Sequence, residues 1–257
     1  MNNISQAVWV EVLKARRSKM PLFTALGFSL LPLVGGFFMI ILRDPELARR
    51  VGLISAKAQL TVGVADWPSY LNFLSLGIAA AGVILFGFIT SWVFGREYSD
   101  RTVKDLLALP TSRSAVVFAK FLVVASWSAA LTVMSYFVGL GVGAAIVLPQ
   151  TSFQVMVQGT FTLALTAILT ILLVTPIAFF ASAGHGYLPP MGVVLLAMGL
   201  AQVVAVIGWG EYFPWSIPGL ISQGESPGIA SYIILILTSL AGFAGTILWW
   251  ELADQTH

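Results

Sequence analysis

The chain has 257 residues, of which 58% are hydrophobic and 9% charged, with a formal net charge of +2. Soluble domains carry about 25% charged residues, so this composition excludes a soluble fold with an ordinary charged surface. Cysteine is absent, which excludes disulfides, thiolate metal sites and palmitoylation.

The charges are also segregated: between Lys120 and Glu211 there is no Asp, Glu, Lys or Arg. The apolar runs are each about 20 residues or longer and lack the in–out alternation of barrel strands. Helices satisfy their own backbone in lipid, so the predicted fold class is all-α, a polytopic membrane protein forming one transmembrane domain over 1–257.

In chain order, residues 1–20 form a basic lead-in with Lys14, Arg16, Arg17 and Lys19. A first span is predicted over 21–42. Its run is longer than a signal-peptide core and charged Arg43, Asp44 and Glu46 follow it, so it reads as a retained anchor. Residues 44–70 are too many for an ordinary connection. There Leu47, Val51, Leu53 and Ile54, beside Arg49 and Arg50, predict a helix along the outer interface.

A second span over 70–95 leads into FGREYSDRTVKDLLALPTSRS. Ser99 or Asp100 is suited to N-cap a short helix, and Pro110 ends it, predicting an amphipathic helix over 99–110. Val103, Leu106 and Leu107 share one face, with Arg101, Lys104 and Asp105 largely elsewhere. Such a helix rests on anionic lipid or docks on a partner, and its rigid mount between two spans favours docking. Thr111 or Ser112 then caps a third span, 114–148. That run exceeds a bilayer of roughly 30 Å, so it should tilt or project at its Lys120 end. Gly139, Gly141 and Gly143, and the pair Ala241 and Gly245, read as close packing within the bundle.

The fourth span, 153–181, should kink at Pro176. A short loop, ASAGHGYLPP, precedes a proline-started fifth span over 188–209. Trp209, Tyr212, Phe213 and Trp215 then cluster with Pro214, Pro218, Gly219 and Gly224. This predicts an aromatic segment, broken and dipping back into the membrane. The sixth span is predicted over 228–250.

Nine Lys and Arg residues fall on the side of the lead-in and the loop after span two, and four (Arg43, Arg49, Arg50, Lys57) on the other. The positive-inside bias therefore places both termini in the cytoplasm. Because the basic residues lie beside the membrane, they read as orientation signals, with no nucleic-acid partner expected.

No charge is predicted well inside a span, which weighs against a proton- or sodium-coupled transporter. Intramembrane aspartyl and His-Glu-x-x-His chemistry lack their residues, because the histidines are His185 and His257 alone. A serine protease would have to enlist Ser182 or Ser222 with His185, which reads instead as a solvated loop histidine. The dipeptide Gly-Lys never occurs, so no phosphate-cradling P-loop can be written, and any motor that powers this chain sits on another one.

The loop after span two resembles that of type-2 ATP-binding-cassette (ABC) exporter permeases. Its matching residues are Glu97, Arg101-Thr102, Lys104, Leu106-Leu107, Pro110, Ser112-Arg113 and Lys120, with Arg101 where many members have Gly. VEVLKARRSKMP is similar to the family's lead-in, and FPWSIPGL to its segment before the last span. The resemblance implies that 99–110 is a coupling helix docking on a separate ATPase through Arg101, Thr102, Lys104, Asp105 and Leu106. It implies that Glu97 braces the loop, by pairing with a basic residue of the lead-in. Phe213, Pro214, Trp215 and Pro218 are then an external gate. ATP and Mg belong to the partner subunit, with no cofactor or metal on this chain. A second permease copy or related permease, and membrane lipid of a prokaryotic plasma membrane, complete the expected partners. The substrate so implied is hydrophobic, peptide-like or lipid-like. The competing expectation is a non-transporting structural or assembly protein.

Overall fold

The computed structural model describes residues 3–44, 64–100, 102–103 and 111–252. Six of its helices are long and apolar enough to cross a membrane, and no strand occurs among the described residues. The chain opens with α1 (Asn3–Arg16), followed by α2 (Met20–Arg43) as span one. Span two is α3 (Trp67–Gly77), a π-helical turn (Ile78–Gly82) and α4 (Val83–Ser99); span three is α5 (Arg113–Ala145). Span four is α6 (Phe153–Leu173) and α7 (Thr175–Ala183), and span five is α8 (Leu188–Val206). Two 3₁₀ turns (Gly210–Tyr212 and Pro214–Ser216) lead to α9 (Ile217–Ser222), and α10 (Ile229–Leu252) is span six. The bundle end carrying α1 is the near end here, and the opposite one the far end.

Each predicted span is present, with ends shifted by a few residues. The largest shift is informative. Span two continues beyond Gly95, so Ser99 lies inside α4 and Asp100 is its C-cap in helical conformation. The expected N-cap at Ser99 is therefore displaced. The helix persists because its last charges are satisfied where they stand: Arg96 Nε donates to Asp100 Oδ2 at 3.1 Å and lies over the Trp92 ring. Beyond it, the Thr102 amide donates to Glu97 O at 2.9 Å, and the Val103 side chain is buried. Arg101, Lys104, Asp105, Leu106 and Pro110 lie outside the described residues, as do 45–63, with the expected interfacial helix, and His257.

Span three starts at the expected cap, with Ser112 Oγ accepting from the Ala115 amide at 3.3 Å. At 33 residues it is roughly 50 Å long, well over the thickness of a bilayer. Its far end closes on Val147, which takes a left-handed φ of 54°. The Arg43 guanidinium donates to the carbonyl oxygens of Ile146 and Val147, so the end of span one caps the end of span three.

Span four breaks at Val174, as Pro176 requires. Thr175 Oγ1 lies 2.8 Å from both Leu172 O and Ser239 O, filling polar needs opened by the break. Helix α10 presses on the same point through Gly242, where an added Cβ would stand 2.4 Å from Pro176 N. Without a hydrophobic drive between helices in lipid, such small-residue approaches are what hold a bundle together. The glycines of span three act likewise. Gly139 faces Leu74 and Pro32, Gly143 faces Trp67, and only Gly141 of the three faces open space.

At the far end, α9 folds back against the bundle. Ile217 and Ile221 pack with Leu169, Leu173 and Leu235. Pro214, Ser216 and Pro218 are buried, and Gly208 and Gly224 take the positive φ values that admit the chain reversals on either side.

Candidate functional site

The near end holds a cluster of buried charges that begins with the pattern of α1. Residues Glu11 and Ala15, one turn apart, are its most buried side chains, and this face packs along α5. Glu97 stands in the last turn of α4 and Lys120 two turns into α5, roughly 10 Å from its start. Lys120 is fully buried. Its ammonium donates to Glu97 Oε1 at 2.7 Å, Val93 O at 2.8 Å and Glu11 Oε2 at 3.2 Å, which spends all three protons. Lys14 closes the ring, 2.6 Å from Glu11 Oε1 and 2.9 Å from Glu97 Oε1.

Two carboxylates and two ammoniums sum to zero charge, which is how a membrane protein can bury four ions together. The pairs offset their own desolvation rather than adding much stability, but loss of any one partner strands the others. Burial pushes the Lys14 pKa down, yet Glu97 and Glu11 outweigh it and hold the value above an ordinary lysine's. Glu97 Oε2 is buried without a donor among the described residues.

Around the knot, Arg96 Nη1 reaches Lys14 O at 3.4 Å. Trp92 meets Trp127 edge-on, and Trp127 Nε1 donates to Thr24 Oγ1 at 3.2 Å. Helices α1, α2, α4 and α5 are thus fastened to one another. The remaining near ends are fastened separately. Arg113 Nη1 donates to Trp250 O at 3.0 Å in the last turn of α10, and Trp250 Nε1 donates to Ser182 Oγ at 2.9 Å.

Those contacts also locate the serine and histidine weighed for proteolysis. Ser182 Oγ donates to Ala178 O while accepting from the Trp250 indole, and Ser222 Oγ donates to Gly219 O. His185 is exposed and sets its ring against Tyr98, so neither serine is hydrogen-bonded to it.

At the far end, the aromatic segment meets spans two and five. Trp215, Ser216 and Gly219 face Ala79, Ala80 and Gln202 across a pocket of about 80 Å³. Phe213 packs against Trp215 with ring centroids 5.6 Å apart. The lining carries no charge.

Of the residues singled out from sequence, the fold brings Glu97 and Lys120 together with the basic lead-in, and Phe213, Pro214, Trp215 and Pro218 into one far-end unit. Thr102 is hydrogen-bonded back to Glu97, and the other docking candidates fall outside the described residues. Glu11 was not singled out. Its signal was the acid of VEVLKARR, set one turn before Ala15 on the buried face.

The sequence model of the ABC-2 family transporter proteins matches residues 7–201, a stretch holding all four knot residues. The chain is 29% identical over 177 residues to the bacitracin transport permease protein BCRB of Bacillus licheniformis, covering 67% of this chain and 85% of that one. No solved structure matches it. An ABC ATPase is the general partner of such permeases. A family match over most of the chain, a six-span helical bundle and a motif-bearing loop mounted on a charge knot converge on one identity: the chain belongs to the ABC-2 transporter family and is the transmembrane permease subunit of an ABC exporter.

Proposed function

We propose that the near end faces the cytoplasm of a prokaryotic cell, both termini included, and that residues 99–110 are the coupling helix on which the ATPase acts. Arg101, Thr102, Lys104, Asp105 and Leu106 make the docking contacts, and Glu97 braces the loop. The observation that carries this reading is the knot. It fastens α1, α4 and α5 two residues before that loop and ten residues after it, so a push on the loop moves three helices as one body. A loop hung on frayed helix ends would absorb the same push locally.

In this scheme two permease copies, or this chain and a related one, pair with two ATPases, which bind ATP and Mg. Closure of the ATPases rocks the spans in the plasma membrane. Phe213, Pro214, Trp215 and Pro218 then act as the gate on the outer side. The cargo is hydrophobic, peptide-like or lipid-like. A charge-free pocket and the name of the bacitracin permease to which the chain is similar both support that class over a bare ion.

The test is co-expression with an ABC ATPase encoded beside this chain, which should co-purify in mild detergent. Asp105→Arg and Leu106→Glu should each break the complex or uncouple transport while membrane insertion stays intact. Normal transport in both variants overturns the docking assignment.

A further inference from the structure

A second far-end pocket, of about 240 Å³, lies one turn along α3 from the one lined by Leu76 and Ala79. Three elements supply its polar lining: Asn72 and Ser75 from α3, Gln158 and Thr162 from α6, and Ser222 from the end of α9. Ser75 and Ser222 donate their hydroxyl protons to their own helices, at Leu71 O and Gly219 O. The Asn72 and Gln158 carboxamides make no hydrogen bond among the described residues, so their donors and acceptors remain available. Both sit five residues into their helices, roughly 7.5 Å from the helix starts. Gly159 lets α6 close onto α3 beneath the pocket, since a Cβ there would strike Leu71 at 2.7 Å.

We infer that this pocket is a ligand site for an uncharged amide group, the backbone of a peptide-like molecule. A side-chain carboxamide offers two donors and an acceptor, the complement of a peptide N–H and C=O, and two carboxamides can hold two successive peptide units. The lining has no Lys or Arg to meet a phosphate, and exposed Glu225 follows the lining residue Gly224, which repels an anionic lipid headgroup. It has no acid of its own to select a bare cation. Apolar Val155 and Pro68 accommodate a side chain beside the amide. The site names the chemistry of the cargo and so rests on the permease reading above. Its place at the end of α9 lets occupancy bear on the gate segment.

The experiment uses the permease–ATPase complex in nanodiscs. The probe is an uncharged, end-capped hexapeptide of leucine and alanine bearing a benzophenone. Saturable labelling is expected in α3 or α6, competed by the unlabelled capped peptide. Asn72→Ala with Gln158→Ala should weaken it about tenfold, and Thr162→Val about threefold, from the hydrogen bonds lost. Both variants should keep the complex and its basal ATP hydrolysis. Affinities within twofold of wild type, or displacement by glycerol phosphate rather than by peptide, overturn the site. Transport of bacitracin by the wild-type complex is scored in parallel. Intact transport with unresponsive labelling sinks the site alone, whereas a complex that neither hydrolyses ATP nor transports sinks the permease reading beneath it.

Discussion

The two ends of this bundle solve the problem of polar groups in a membrane protein in opposite ways. The near end gathers full charges and spends nearly every proton on a partner, as Lys120 does with Glu97, Glu11 and Val93. The two far-end pockets described above carry no charge in their linings and leave two carboxamides uncommitted among the described residues. Paired charges in a low-dielectric setting make a stiff joint, because parting them is costly. Uncharged polar groups make a surface that a passing molecule can occupy and leave. On the proposed function, force and cargo are thereby handled at separate ends.

The contrast is broken most severely at Lys120. Lys120→Met leaves the buried Glu11 and Glu97 carboxylates sharing the single Lys14 ammonium, one net negative charge uncompensated, at a cost of about 3 kcal/mol. The variant should unfold at markedly lower temperature in detergent, and the triple change adding Glu11→Gln and Glu97→Gln should recover part of the loss. Thermal unfolding indistinguishable from wild type would mean the knot is not a joint. Next in size, Gly242→Leu would drive a side chain into the backbone at Pro176, an overpacking of about 1–3 kcal/mol. It should loosen span six from span four, read as accelerated proteolysis at the loop before Leu188. At the far end, Arg43→Ala removes the donors to Ile146 O and Val147 O. These carbonyls lie at an exposed helix end where water can replace the guanidinium, so the loss should stay near 1 kcal/mol.

The smallest effect concerns pH. Lys14 titrates above its ordinary value of 10.5 in the folded protein. A raised lysine pKa contributes stability that is complete below the unfolded value and disappears as pH climbs through the folded one. Docking of α1, followed by hydrogen exchange of its amides, should therefore be flat through neutral pH and weaken only under strongly alkaline conditions. Weakening between pH 6 and pH 8 would point to a different group.

The parts of this fold that were legible beforehand rest on local chemistry. Apolar run length marked the spans, Pro176 marked the break beside Val174, and a serine before Arg113 marked the start of span three. The clustered prolines and aromatics marked the segment that folds back as α9. Lys120 was legible as a motif residue, but its burial depends on an acid 109 positions away, and no local pattern reports that. Ser99 misled because a good capping side chain does not end a helix whose next charges are already satisfied. The far-end carboxamides were equally silent: Asn72 and Gln158 gain meaning only when α3 and α6 stand side by side.

The π-helical turn at Ile78–Gly82 carries a consequence for how this chain tolerates insertions and deletions. Such a turn holds one residue more than the α-helix around it needs, so removing Ala80 should restore a regular helix with α3 and α4 still in register. Removing a residue anywhere between Val83 and Val93 would instead rotate Glu97 by about 100° and take it away from Lys120. Span two thus has a slack point near its middle and none between that point and the knot. Among relatives of differing length, a one-residue gap in this span should fall at 78–82, and a chain with the gap elsewhere should carry its acid at a shifted position.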